Sequence, residues 1–410
     1  MKFSCSQKAL ANAVLSALRV AGSANVMPVL AGLLVEAGEP HGVRITGYNL
    51  DTAVRAIIPA DIDEPGAVVV PGKPLAAIVR KLDEEVVVET KDNQIVLRSG
   101  EPEFTLRTMS AQEYPELPEL DALGMTALPA GELEKIVRLV APAAAKPGAE
   151  TRAYLQGVLM SMDGGKNGNG VALTAVATDS FRMAVYETEL AEASMMVGPG
   201  WSNIERGNEI GKISVIIPAT ALDEVARGLA GVSREQPILV KLNTTHALFG
   251  LPGREIVTRL LDGLYPSYEQ VLAMVGDRVK VKCPRERLAQ ALDRMTAVKP
   301  ATKGETPKAR LTWAGRPLEA KGPELLALAA QFAELGGARD AVPAEVETDM
   351  SQFAGQPVEL NTTCKVPYLL DVVKALDTPD VVLECGAPKS PVTITAEDVE
   401  GYRYLVMPVI

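Results

Sequence analysis

Leu75-Ala76-Ala77-Ile78-Val79-Arg80-Lys81-Leu82, Leu222-Asp223-Glu224-Val225-Ala226-Arg227-Gly228-Leu229 and Leu369-Leu370-Asp371-Val372-Val373-Lys374-Ala375-Leu376 carry one pattern three times. Each places apolar side chains at i, i+3, i+4 and i+7 with a basic residue at i+5, which is one buried stripe of an amphipathic helix. The three begin 147 residues apart, so the chain is an internal repeat. An apolar strand and a proline precede each: Val68-Val69-Val70-Pro71, Val215-Ile216-Ile217-Pro218, and, less sharply, Val358-Glu359-Leu360-Asn361 leading to Pro367.

Working outward, a second helix opens each third, with apolar stripes at Leu10, Ala13, Val14, Ala17, then Leu133, Ile136, Val137, Val140, then Leu288, Ala291, Leu292, Met295. Val29 to Leu34 and Tyr154 to Leu159 read as matched strands after them, with a fainter echo at Ala309 to Trp313. Tyr114-Pro115 and Tyr265-Pro266 close the first two units, which puts boundaries near Leu123 and Gly276 and gives domains 1–123, 124–276 and 277–410. Each domain is expected to hold two helices and about eight short strands. Gly164 to Gly170 reads as a hairpin loop, because a strand pattern rather than a helix follows it. Residues 321–344 read as a helical insertion in the third domain: Pro323 starts it, Leu325, Leu328, Ala329 and Phe332 give one face, and Gly336-Gly337 ends it.

Composition narrows the chemistry. A chain of 410 residues, 47 % hydrophobic and 23 % charged, has enough apolar mass for several cores and no span of a membrane's length, so a cytoplasmic protein is expected. Four scattered cysteines without a C-x-x-C pair read as buried thiols, and two histidines starve acid-base catalysis; no metal site or cofactor is expected. Ala177-Thr178-Asp179-Ser180-Phe181-Arg182-Met183-Ala184 pairs an acid, a hydroxyl and an arginine just after a strand, yet it lacks a base for a nucleophile. Its local reading is a turn in which Asp179 accepts backbone N–H bonds. The net charge is −11, but the six helical segments carry +7 between them, leaving −18 for the remainder. Basic helices on an acidic body point to one surface facing a polyanion.

The repeat, Ala177 to Ala184, Leu261-Asp262-Gly263-Leu264-Tyr265-Pro266-Ser267-Tyr268 and the terminal Tyr404-Leu405-Val406-Met407-Pro408 together resemble the bacterial DNA polymerase III beta subunit family, the sliding clamps, over nearly the whole chain. The resemblance implies an α+β chain of three clamp-fold domains, each with two helices packed on antiparallel sheets. It further implies a ring formed as a head-to-tail homodimer, helices lining the hole and a continuous sheet outside. Such a ring is a non-catalytic processivity factor around double-stranded DNA. Its implied partners are the DNA polymerase III catalytic subunit, the clamp loader, and other polymerases and repair proteins with clamp-binding motifs, and its implied place is the cytoplasm, associated with the nucleoid. The runner-up is a specialised or second clamp acting as an interaction protein.

The implied partner cleft comprises Leu155, Thr178, Ser180, Phe181, Arg182, Met183, Pro266, Gln270, Val271, Leu405, Met407, Pro408 and Val409. Arg19, Lys73, Arg80, Arg152, Tyr154, Arg294 and Lys374 are the expected DNA-facing residues. Phe104 and Leu106 on an alternating strand, with Val298 opposite, are the expected dimer seam. The chain departs from the family pattern where Gly-His is usual and Ser180-Phe181 stands, where an arginine is common and Gln270 stands, and where Asp-Leu-Glu appears as Asn49-Leu50-Asp51.

Overall fold

Three copies of one element order run through the computed structural model of the chain, and the proline-started helices mark their phase. The structure describes residues 1–23, 25, 27–40, 42–118, 120–148, 152–164, 170–191, 193, 195–197, 212–273, 279–297, 306–314, 324–332, 336–347, 359–385 and 390–409.

The first copy is β1 (Lys2–Ser6), α1 (Gln7–Val20), β2 (Gly32–Gly38), β3 (Gly42–Tyr48), β4 (Thr52–Ile58), β5 (Asp61–Glu64), β6 (Gly66–Pro71), α2 (Gly72–Val79), β7 (Glu85–Lys91), β8 (Gln94–Arg98) and β9 (Glu103–Arg107), followed by the short β10 (Met109–Ser110). The second is β11 (Gly124–Pro129), α3 (Ala130–Leu139), β12 (Gly157–Gly164), β13 (Val171–Thr178), β14 (Arg182–Leu190), β15 (Met195–Val197), β16 (Lys212–Pro218), α4 (Ala219–Leu229), β17 (Pro237–Leu242), β18 (His246–Leu251) and β19 (Arg254–Arg259). A short helix α5 (Tyr268–Ala273) leads to the third: β20 (Val279–Pro284), α6 (Arg285–Thr296), β21 (Lys308–Ala314), β22 (Glu324–Phe332), β23 (Gly336–Glu347), β24 (Glu359–Lys365), α7 (Val366–Ala375), β25 (Asp380–Cys385), β26 (Val392–Thr395) and β27 (Tyr402–Val406).

By packing, the chain divides into two compact units. One is Met1–Glu132, Ala193–Gly207 and Thr220–Leu260. It holds a five-stranded sheet, β5-β1-β7-β8-β9, and a ten-stranded sheet, β10-β6-β2-β3-β4-β19-β18-β17-β11-β15. One core gathers Phe3, Val86 and Val88 from the first sheet, Leu33, Val35 and Ile45 from the second, and Leu10, Val14, Leu75 and Val79 from α1 and α2. The close seat of α1 requires Gly47: a Cβ there would stand 1.9 Å from the Ala17 carbonyl oxygen.

The other unit, Leu133–Glu192, Asn208–Ala219 and Leu261–Ile410, carries a twelve-stranded sheet, β16-β12-β13-β14-β27-β26-β25-β20-β23-β22-β21-β24. Here α6 and α7 pack on each other and bury Leu288, Ala291, Leu292 and Met295 with Leu369, Val372 and Val373. Both sheets that cross from copy to copy do so in the same way: β4 pairs with β19, and β14 pairs with β27.

Several sequence expectations change. The segment read as a helical insertion is the hairpin β22–β23, with Glu324 opposite Ala344 and Phe332 opposite Gly336, and it is an integral part of the third repeat. Leu326, Leu328 and Ala330 are buried while Leu325 is 47 % exposed, so the operative period is two. The long β23 does in one strand what β4 and β5 do in two: its first part pairs with β22 and its end, Glu345 to Glu347, with β20. The strands expected at Val29 and Tyr154 begin as single 3-10 turns, Pro28–Ala31 and Ala153–Gln156. Gly164 pairs with Val171, as a hairpin requires; the loop 165–169 itself lies outside the described residues. Among the described residues no helix is long and apolar enough to cross a membrane, and no group of three potential metal ligands occurs.

Candidate functional site

The turn between β13 and β14 organises the site. Asp179 Oδ1 accepts the N–H groups of Phe181 and Arg182, both at 3.0 Å. The Thr178 hydroxyl donates to the Arg182 carbonyl at 2.7 Å and accepts the Ser180 N–H at 3.1 Å. The N–H groups of residues 179–182 and the Thr178 and Asp179 side chains thus have local partners, and the turn holds Ser180 at a φ of 74°. That left-handed conformation costs a non-glycine residue about 1 kcal/mol, offset by the bond that Arg152 Nη2 donates to Ser180 Oγ at 2.8 Å. The same device stands between β3 and β4, where Asn49 Oδ1 accepts from Asp51 and Thr52 and Leu50 has a φ of 78°.

Arg182 ties this turn to the third copy. Its side chain is 4 % exposed, with Nε donating to Asp179 Oδ2 at 3.0 Å and Nη1 to Asp371 Oδ2 at 2.5 Å on α7. Nη1 also donates to the Tyr404 hydroxyl of β27 at 3.2 Å, and the guanidinium lies over the Tyr368 ring, 4.5 Å from its centroid. Burial opposes the charge, but Tyr404, Asp371 and Asp179 outweigh it and raise the Arg182 pKa above its ordinary value. Burial also pushes the Tyr404 phenol up, so it stays neutral beside Arg182.

Two further segments complete a cleft. Met407 N–H donates to the Phe181 carbonyl at 2.8 Å and Val409 N–H to the Thr363 carbonyl at 2.7 Å, which lays the chain end along the turn. Tyr265 donates its hydroxyl to the Val176 carbonyl at 3.2 Å and anchors the Pro266 to Val271 stretch. Its ring meets Tyr154 edge-on, with centroids 6.5 Å apart. Gly263 is required beside this pair: its φ is 141°, and a Cβ would stand 2.6 Å from Tyr154 Cδ1. The floor is the apolar cluster Val176, Met183, Val185 and Leu405, with Tyr268 and Val271 packed against it. Burial pushes the Tyr268 phenol up to about 12.

The resulting cavity is about 460 Å³ and is lined by Arg152, Thr178, Ser180, Arg182, Met183, Pro266, Tyr268, Val271, Ser390, Pro391, Leu405 and Met407. A mostly apolar groove with a few fixed polar groups accepts an apolar anchor of a peptide, each 100 Å² covered being worth about 2.5 kcal/mol.

Eight residues named from sequence for this cleft are therefore brought together: Thr178, Ser180, Arg182, Met183, Pro266, Val271, Leu405 and Met407. Leu155 is fully buried, while Phe181, Gln270, Pro408 and Val409 stand beside the cavity without lining it. Sequence reasoning missed Tyr268, Ser390 and Pro391, and it assigned Arg152 elsewhere. Tyr268 follows Tyr265-Pro266 closely enough to have been included; nothing in the sequence around Ser390-Pro391 marks it.

The residues expected to face DNA differ in their freedom. Arg19 is paired with Glu224 at 2.8 Å, Arg294 with Asp340 at 2.5 Å and Lys374 with Asp293 at 3.5 Å. Lys73 and Arg80 are exposed with no ion pair among the described residues. Arg152 and Tyr154 stand at the cleft. Phe104 and Leu106 are half-buried against the first core and lie on β9, which among the described strands pairs only with β8. Val298 lies outside the described residues.

Residues 1–118 match the family model of the DNA polymerase III beta subunit, N-terminal domain. The beta sliding clamp of Synechococcus elongatus is 29% identical over 414 residues, covering 100% of this chain and 99% of that protein. That of Bacillus subtilis is 25% identical over 419 residues with the same coverage. Among solved structures, the DNA polymerase sliding clamp of Bacillus subtilis superposes with a TM-score of 0.81 at 24% identity, covering 100% of this chain and 99% of that one. The DNA polymerase III beta subunit of Thermotoga maritima gives 0.80 at 24%, again covering 100% and 99%. A Pseudomonas aeruginosa clamp bound to griselimycin gives 0.81 at 23%, also covering 100% and 99%. Over its whole length the chain is thus similar in sequence, and in fold, to bacterial beta sliding clamps.

Proposed function

We propose that the protein is a DNA sliding clamp: a ring-shaped, non-catalytic processivity factor that encircles duplex DNA and tethers replication and repair proteins through the cleft. Its domains are 1–123, 124–276 and 277–410. The observation that carries this reading is the repeated junction. Strand β4 receives β19, and β14 receives β27. By the same rule the corresponding part of β23, Gly336 to Ala344, should receive a β9. Among the described residues that stretch pairs only with β22, and β9 pairs only with β8. Unpaired edges are a liability that proteins cover. Joining β9 of one protomer to β23 of its partner satisfies both, head to tail, twice per dimer, and closes a ring of six domains.

DNA inside such a ring is held by phosphate contacts without base readout, since the lining must tolerate every sequence that passes. Lys73 and Arg80 supply cations that form no ion pair among the described residues, while the pairs on Arg19, Arg294 and Lys374 would have to open or share. The cleft serves the polymerase catalytic subunit, the clamp loader and other partners in turn through short segments with apolar anchors. Met183 and Met407 lend it adaptable thioether surface.

The test is removal of residues 407–410. It deletes the Met407 wall and its bond to the turn but leaves β27 intact. Peptide, polymerase and loader binding should be lost in titration while sedimentation still shows the dimer. Unchanged peptide affinity would sink the assignment of the cleft.

A further inference from the structure

The two junctions inside the chain share one register, and the repeat carries it to β9 and β23. At the first junction Val54 stands opposite Ile256 and Arg55 opposite Glu255; at the second, Ala184 stands opposite Tyr404 and Val185 opposite Arg403. The residues before α2, α4 and α7 set the phase: Pro71 pairs with Gly32, Pro218 with Gly157 and Lys365 with Lys308. Followed strand by strand from there, Val54, Ala184 and Ala338 are equivalent, and so are Arg55, Val185 and Arg339. The same count from Ser6, Pro129 and Pro284, which precede α1, α3 and α6, makes Phe104 equivalent to Ile256 and Tyr404, and Glu103 to Glu255 and Arg403.

Burial agrees with this equivalence. Ile256 and Thr258 are buried beside β4, and Tyr404 and Val406 beside β14, whereas Phe104 and Leu106 at the same places on β9 are only half-buried. Ala338, after Gly336-Gly337, leaves room opposite Phe104, as Ala184 does opposite Tyr404. On the other face of the first junction Arg55 Nη1 donates to Glu255 Oε2 at 3.0 Å. Glu103 repeats Glu255 in kind and is exposed, with Arg98 Nε donating to it at 2.6 Å. Arg339 repeats Arg55 in kind; it is exposed and forms no ion pair among the described residues.

We propose that Glu103 on β9 pairs with the partner subunit's Arg339, that Phe104 lies opposite the partner subunit's Ala338, and that this ion pair selects the register in which two copies of the chain recognise each other. This rests on the reading of the chain as a head-to-tail ring. A slip of one residue turns Phe104 and Leu106 to the wrong face. A slip of two keeps the faces, but one way it sets Phe104 against the partner subunit's Asp340. The other way it carries the partner subunit's Arg339 beyond the strand, to the turn before β9. The pair occurs at both seams of a symmetric dimer, so each fault in it counts twice.

The experiment has two arms, both on full-length protein. In the first, Arg339→Cys is combined in one chain with Glu103→Cys, Thr105→Cys or Glu101→Cys and oxidised with diamide. Residues directly opposite across antiparallel strands have Cα atoms about 4.5–5.5 Å apart, within a disulfide's reach, and the four native cysteines are buried. The combination with Glu103→Cys should give a dimer that survives non-reducing denaturing electrophoresis, well ahead of the two shifted combinations. In the second arm, sedimentation follows Glu103→Gln, Arg339→Gln and the double variant. Each single change should weaken the dimer about threefold per seam, hence about tenfold overall at low salt, and less as salt rises. The double variant should be no weaker than either single one, because the pair is lost only once; the loss of Arg98's partner cancels in the cycle. Preferential cross-linking of a shifted combination, or losses that multiply in the double variant, would overturn the inference alone. A monomer at every concentration, with no cross-link from any combination, would overturn the ring reading and this inference with it.

Discussion

At the residue scale, Asp179 decides whether the cleft exists, because one carboxylate serves two backbone donors and a buried guanidinium. Asp179→Ala removes all three bonds and leaves Arg182 to Asp371 and Tyr404; it should cost about 3 kcal/mol, read as a lowered urea midpoint with loss of peptide binding. Asp179→Asn can still accept from the turn and should cost less. Equal midpoints for the two variants would mean that the turn bonds contribute nothing. This residue was legible in sequence as a turn acceptor, since Asp after a strand and before Ser is a local hydrogen-bond signal. Its tie to α7 through Arg182 was not, because Asp371 lies 189 residues further on and reads there as an ordinary exposed helix residue. The kinship of Asn49-Leu50-Asp51 with Asp179-Ser180-Phe181 also escaped the sequence: the shared feature is a backbone angle, with φ of 78° at Leu50 and 74° at Ser180.

At the element scale, the repeated helices were plain because their stripes span about two turns at one spacing and follow prolines. The hairpin β22–β23 was misread because Leu325-Leu326-Ala327-Leu328-Ala329-Ala330 satisfies both periods, and Gly336-Gly337 serves equally as a helix end or a hairpin turn. Register resolves it. Leu328→Ala should cost about 2–5 kcal/mol, as a buried leucine does, and Leu325→Ala no more than about 0.5 kcal/mol. The reverse order in thermal or chemical denaturation would restore the helical reading. Strand β9 is the other element whose neighbours matter. Phe104→Arg with Leu106→Arg should yield folded monomers in sedimentation, with far-UV circular dichroism unchanged; a dimer of unaltered stability would remove β9 from the seam.

At the scale of the whole molecule, charge and topology point to the same design. Basic residues gather on the helices of an acidic chain, and two sheets each run on from one repeat into the next. Among the described residues β9 pairs only with β8, and the first part of β23 only with β22, which is what the proposed pairing with a second copy would complete. The proposed ring was read from the repeat and the family resemblance, whereas the pairing rule that would close it needed the strand registers. The central claim is topological linkage to DNA, and retention measures it directly. Protein loaded by a clamp loader onto nicked circular duplex should stay bound through a high-salt wash that strips ordinary phosphate contacts, and should leave when the circle is cut. Equal loss from circular and linear DNA in that wash would contradict the account.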